Sequence, residues 1–106
     1  MVEVFIREFK QAVVKGKWQF VRRRKNIEFL TEIGWSETIA VEYLAEKLLP
    51  KHYVKGPEDE RDPKFEPGLV YIFKMAIENH EVYIKIKKVS MEEYFVIISF
   101  HEDEGD

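Results

Sequence analysis

Between His80 and Glu102 the chain alternates apolar and polar residues, and that stretch (HEVYIKIKKVSMEEYFVIISFHE) orders what precedes it. Val82, Ile84 and Ile86 alternate with Tyr83, Lys85 and Lys87, as in a strand with one buried face. Tyr94–Phe100 follows, dense in the aromatic and β-branched residues that suit a half-buried pleated surface. Burial pins the register, because a slip of one residue turns every apolar side chain outward. With Ser90–Glu92 as a short hairpin loop, Ile84 lies opposite Ile98, Val82 opposite Phe100 and Tyr83 opposite Ser99. Leu69–Ile77 joins as a third strand through a tight turn at Asn79–His80, with Ala76 opposite Tyr83 and Lys74 opposite Lys85. One face of this sheet then carries Tyr71, Phe73, Met75, Ile77, Val82, Ile84, Ile86, Val96, Ile98 and Phe100. The other carries Lys74, Ala76, Tyr83, Lys85, Lys87, Ser99 and His101, with Phe95 and Ile97 further along and expected to be buried under a helix.

Helical spacing governs the first half. Val2, Phe5, Phe9 and Val13, with Ile6 and Ala12 beside them, predict an amphipathic helix over Val2–Lys15, stopped by Gly16. Lys17–Arg22 reads as a short strand at a sheet edge. Asn26 is expected to cap a helix running to Ile33, with Ile27, Leu30 and Ile33 as its apolar stripe and Gly34 after its end. Ser36 caps a second helix, Glu37–Leu49, with Ile39, Tyr43, Leu44 and Leu48 inward and Pro50 as its stop. Trp35 and Tyr43 read as core packing. Residues 51–68 (KHYVKGPEDERDPKFEPG) show no sustained periodicity, and their prolines, glycines and acids predict one long loop.

A chain of 106 residues folds as a single domain with one core. It has no cysteine, so disulfides and thiolate chemistry are excluded, and a reducing, cytoplasmic setting is expected. No run approaches the roughly 18 apolar residues of a membrane span, and the charges within the N-terminal run do not fit a signal peptide. Charged residues are abundant and Asn and Gln scarce, a balance that leans towards thermophilic proteins. Net charge is −3, unevenly spread. Basic residues crowd Met1–Lys25, ending in the run Arg22–Lys25, while acids gather at Glu58–Asp62 and in the tail 103–106. A basic half can hold a polyanion locally, whereas the overall acidity argues against non-specific nucleic-acid binding.

The candidate chemistry is sparse. No phosphate-binding glycine loop, zinc-ligand spacing or nucleophile elbow is present. Glu58, Asp59, Glu60 and Asp62 could ligate a hard cation, but they lack the glycine and closing glutamate of a calcium loop and read as a solvated acidic loop. His52, His80 and His101 are scattered, so no metal site and no cofactor is expected. Lys74 and Lys85, opposed across two strands, would repel unless they splay into water or an anion sits between them; the spacing favours splaying.

Four motifs in order, HYVKGPEDERD, VYIFKMAI, HEVYIKIK and IISFHE, resemble the MqsR family of type II toxins, and the resemblance spans roughly Asn26–Glu102. The residues that carry it are Tyr53, Gly56–Pro57, Phe73, Val82–Ile86 and Ser99–Glu102. It implies a RelE-like α+β fold, with N-terminal helices packed on one face of a small twisted antiparallel sheet. It also implies metal-independent endoribonuclease activity on mRNA, a cognate antitoxin protein as partner, and action alone or at the ribosome. Tyr83 falls on the family's motif tyrosine, His101 stands where some members carry lysine, and Lys55 lies beside a functional loop lysine. Tyr83, His101 and Lys55 are therefore the catalytic candidates, and Lys74, Lys85 and Lys87 the RNA-binding ones. Metal-free cleavage requires a base for the 2′-hydroxyl, cations for the phosphorane-like transition state and an acid for the 5′-oxygen. Histidine suits the proton transfers; tyrosine suits orienting phosphate or donating a proton. The competing expectation is a binding module of the same fold, holding RNA or protein on the lysine face without chemistry.

Overall fold

The computed structural model describes residues 1–90 and 92–105. Its elements are α1 (Val2–Val14), β1 (Trp18–Phe20), α2 (Arg24–Ile33), α3 (Glu37–Lys47), a short 3-10 turn (Pro50–His52), β2 (Tyr53–Asp59), β3 (Gly68–Ile77), β4 (His80–Val89) and β5 (Phe95–Glu102). The strands form one sheet in the order β1-β5-β4-β3-β2, antiparallel except for the parallel pair β1·β5. The class is α+β.

The core is a single cluster to which every helix contributes. Phe5, Ile6 and Phe9 of α1, Phe29 and Leu30 of α2, and Val41 and Leu44 of α3 meet Tyr71, Phe73, Met75 and Ile77 of β3 and Val82, Ile84 and Ile86 of β4. Aromatic rings carry much of the contact: Phe95 meets Phe5 and Phe9 edge-on, with centroids 5.4 and 5.6 Å apart. Such edge-to-face pairs suit the ring quadrupole. α3 begins as expected, the Ser36 hydroxyl accepting from the Ile39 amide at 3.1 Å. That satisfies one of the helix's open N-terminal donors, an effect of about 1 kcal/mol. Ile27 and Ile39, expected inward, lie on the outside, and Phe29, Ala40 and Val41 occupy the buried positions instead.

Five further expectations are corrected. Residues 51–68 are not one loop: Tyr53–Asp59 pairs with β3 as the edge strand β2, through an irregular register that its Gly-Pro step disguises as loop sequence. The β3–β4 turn is Glu78–Asn79, both with positive φ (52° and 69°), and Ile77 faces His80. Two successive left-handed residues give the reversed turn that matches strand twist. This moves the register by two residues, so Lys74 lies opposite Tyr83 and Lys85 opposite Ile72, and the two lysines are not opposed. The β4–β5 connection is longer than Ser90–Glu92, closing with the Val89 amide on the Tyr94 carbonyl at 2.9 Å. Met91, placed in that connection, and Asp106 of the tail lie outside the described residues.

The fourth correction is a bulge. Lys85 pairs with Ser99 but Ile86 pairs with Ile97, so Ile98 is an extra residue in β5. A bulge reverses side-chain parity along its strand. Phe95 and Ile97 are fully buried, as expected of residues beneath a helix, but on the core face of the sheet and not the polar one, while Val96 and Ile98 turn to the opposite face. Asn26, expected as a cap, sits inside the first turn of α2, whose cap residue is Arg23. Its amide nitrogen donates to the Val21 and Ile98 carbonyls, both at 2.9 Å, and its oxygen accepts from the Phe100 amide at 3.0 Å. The side chain thus continues the ladder along β5 where β1 ends, and ties α2 to the bulge.

Candidate functional site

The sheet face turned away from the core carries the predicted residues in cross-strand rows. Residues paired across a sheet share a face, and rows on one face follow at about 7 Å, two residues of strand rise. One row reads Lys74, Tyr83, His101; the next Lys55, Ile72, Lys85, Ser99; the third Val70, Lys87, Val96.

Tyr83 lies directly opposite His101, not Ser99, and the two rings stack with centroids 5.5 Å apart and planes 24° from parallel. His101 Nδ1 lies 2.9 Å from the Glu102 carbonyl oxygen. A carbonyl only accepts, so Nδ1 donates, and in the neutral ring the lone pair resides on Nε2. That is the tautomer a general base needs. The residue is only 7% exposed and borders a small cavity of about 170 Å³ shared with Lys25, Phe29 and Glu104.

Beside this pair the positive charge is concentrated by two residues. Arg23 Nη2 donates to Ser99 Oγ at 2.7 Å, which holds a guanidinium from the start of α2 over β5. Lys85 lies across from Ser99 and, among the described residues, has no ion-pair partner. Arg23 and Ser99 were missed as site residues. The basic run Arg22–Lys25 was visible, but nothing in it distinguished Arg23 until the bulge placed Ser99 under it.

The other candidates are engaged elsewhere. Lys74 pairs with Asp103 at 3.0 Å. Lys87 is 5% exposed, donating to Glu60 Oε1 and to the Glu66 carbonyl, each at 2.9 Å, with its ammonium 5.8 Å from the Phe65 ring centroid. The chain after β2 therefore folds over Lys87 and withdraws it from a surface role. Lys55 lies on β2 beside Glu58 at 3.4 Å, and Ile72 separates it from Lys85. It is two strands, roughly 10 Å, from the strand of Tyr83, so the sheet does not bring it to the pair.

Of the acids of residues 58–62, Glu58 pairs with Lys55 and Glu60 with Lys87. The Lys87 hydrogen bond holds the Glu60 carboxyl below the usual carboxylate range, against the opposing effect of burial. Asp62 accepts from the Lys64 amide at 2.9 Å. A different group offers metal-ligand atoms: Glu32, His80 and Glu102, all within 4.8 Å of one another. There, His80 Nδ1 is 2.6 Å from Glu102 and Nε2 is 3.7 Å from Glu32. Each carboxylate faces its own ring nitrogen of His80. Among the described residues no helix is long and apolar enough to cross a membrane. No protein-family model matches the chain, and no curated protein or solved structure matches it.

Proposed function

We propose that this protein is a metal-independent endoribonuclease acting on mRNA, the toxin of a toxin–antitoxin pair with a RelE-like fold. The observation that carries the reading is the stacked Tyr83–His101 pair, with a free lone pair on His101 Nε2 and Lys85 and Arg23 one row away. In this scheme His101 Nε2 takes the 2′-hydroxyl proton. The 2′-oxygen attacks phosphorus, and the bond to the 5′-oxygen breaks. Lys85 and Arg23 stabilise the charge gathered on the phosphorane oxygens, where fixed cations act most strongly. Tyr83 orients the phosphate and donates the proton that the departing 5′-oxygen requires. The products are a 2′,3′-cyclic phosphate and a 5′-hydroxyl. The toxin assignment, the antitoxin partner and any part played by the ribosome rest on the sequence resemblance.

A second reading is favoured by the near-complete burial of His101 and by the ion pairs of Lys74 and Lys87. In it the face binds a polyanion through Arg23 and Lys85 and performs no chemistry. Incubating the protein with a long single-stranded RNA in EDTA, and mapping the product ends, separates the two. Discrete cuts ending in cyclic phosphate, reduced by about 10²-fold or more in His101→Gln and strongly in Tyr83→Phe, are expected. Salt-sensitive binding without cleavage, alone and with translating ribosomes, would replace the enzyme with the binding module.

A further inference from the structure

The last turn of α2, the first residue of β4 and the last of β5 bring together Glu32, His80 and Glu102, whose ligand atoms all lie within 4.8 Å of one another. His80 Nδ1 is 2.6 Å from Glu102 Oε1, and a carboxylate only accepts, so Nδ1 donates. In the neutral ring the lone pair is then on Nε2, the nitrogen nearer Glu32. Phe29 meets the ring edge-on, with centroids 5.3 Å apart and planes at 90°, which holds the imidazole in place. Nε2 and Glu32 Oε2 are 3.7 Å apart, too far for a hydrogen bond. That separation suits two ligands of one ion, since atoms about 2.1 Å from a zinc at the tetrahedral angle lie about 3.4 Å from each other. Charge points the same way. Glu28 and Glu104, which line an adjoining cavity with Glu32 and Glu102, are taken by Arg24 and Lys25, each at 2.8 Å. Among the described residues, Glu32 and Glu102 share only His80, and even a protonated imidazole leaves one negative charge over. The last turn of α2 carries no basic residue. The carbonyl end of a helix favours cations, so the Glu32 carboxylate has the wrong sign there unless a cation joins it.

We infer that Glu32 and His80 Nε2 bind a divalent ion of the zinc kind, with Glu102 orienting the imidazole through Nδ1. Metal-ligating histidines pass their second N–H to a carboxylate in this way, which fixes the tautomer and strengthens the ligand. An imidazole beside a carboxylate suits zinc, whereas magnesium takes oxygen ligands and keeps its water. The adjoining cavity, about 170 Å³ and bordered by both glutamates, has room for the waters that complete the shell. The ion fastens the end of α2 to the start of β4. It takes no part in the proposed RNA cleavage, and the inference does not rest on that reading.

The test is a titration of the isotope-labelled full chain at neutral pH with zinc chloride and, separately, magnesium chloride, read by imidazole nitrogen NMR shifts and by calorimetry. Zinc is expected to move His80 Nε2 while Nδ1 keeps its proton, and magnesium to move neither. Glu102→Gln should weaken zinc binding by about tenfold or more, the usual effect of losing a carboxylate behind a ligating histidine, and Glu32→Gln by at least as much. Both side chains are more than half exposed, so these variants should fold. His80→Gln, checked for a native amide spectrum, should remove the site, and His52→Gln should leave it unchanged. Zinc shifts confined to His52 or His101, an affinity indifferent to Glu32→Gln, or no binding at all would overturn the inference. An equal response to magnesium would overturn it too, since exposed carboxylates alone would then be holding the ion.

Discussion

Glu60→Gln should destabilise the protein by about 2 kcal/mol at neutral pH, through the charge it leaves behind on Lys87. The lysine side chain is 6% exposed and the glutamate 16%, so water screens their 2.9 Å contact poorly. Charge-assisted hydrogen bonds contribute about 1.5–3 kcal/mol, and orphaning one partner of a buried pair costs about 3–5 kcal/mol. Lys87 keeps its bond to the Glu66 carbonyl and its approach to Phe65, which puts the loss near the lower end. In a domain of this size about 2 kcal/mol corresponds to a fall in Tm of roughly 10 °C. Lys87→Met combined with Glu60→Gln should recover much of the loss, because no charge is then left unpaired. The pH dependence has a fixed sign. Glu60 ionises more readily folded than unfolded, so its contribution is complete above the ordinary glutamate range and fades as pH falls through the depressed folded value. Urea denaturation at pH 7 and below pH 4 should therefore show the parent converging on Glu60→Gln in acid. A single variant within about 0.5 kcal/mol of the parent at pH 7 would refute the assignment of Lys87 as buried and dependent on this partner.

Three other outcomes follow from the same geometry. Asn26→Ala should cost about 3 kcal/mol by denaturant unfolding, since it orphans the Ile98 carbonyl and Phe100 amide together. Phe95→Ala should cost about 3–5 kcal/mol, the range for emptying a buried aromatic site, where placement on the open face would give well under 1 kcal/mol. Lys85→Gln should flatten the salt dependence of single-stranded RNA binding by about 0.7 in the log–log slope, whereas Lys87→Gln should leave that slope unchanged.

The strands β3, β4 and β5 were legible because burial on one side imposes a period of two, and Val82, Ile84 and Ile86 obey it without interruption. The helices were legible from apolar spacing, and the Ser36 cap from its chemistry. Register was not, since it depends on turns: Glu78, a residue that rarely takes positive φ, does so here, and the turn sits one residue earlier, which shifts the pairing by two. β2 escaped notice because an edge strand with one neighbour tolerates glycine, proline and irregular pairing, which removes the alternation a reader looks for. At the candidate site, Tyr83 and His101 were placed on one face correctly, yet Ala76 and Ser99, expected across from Tyr83, give way to Lys74 and His101. Whether a lysine is available depends on what folds over it, and the fold of residues 60–66 over Lys87 leaves no periodic trace.

The bulge at Ile98 joins these threads. In an uninterrupted strand, the parity that buries Phe95 and Ile97 would also turn Ser99 and His101 into the core, away from Tyr83 and Lys85. The extra residue lets the first half of β5 feed the core with rings while the second half feeds the opposite face with polar groups. Asn26 bonds to the carbonyl of Ile98 and the amide of Phe100, and Arg23, three residues earlier, reaches Ser99 between them. The first turn of α2 therefore both fastens the irregular backbone and delivers the guanidinium to it. Core packing, bulge and cationic face form one unit, and a side chain such as Asn26, remote from any phosphate, holds Arg23, Ser99 and His101 in the relation that the proposed chemistry requires.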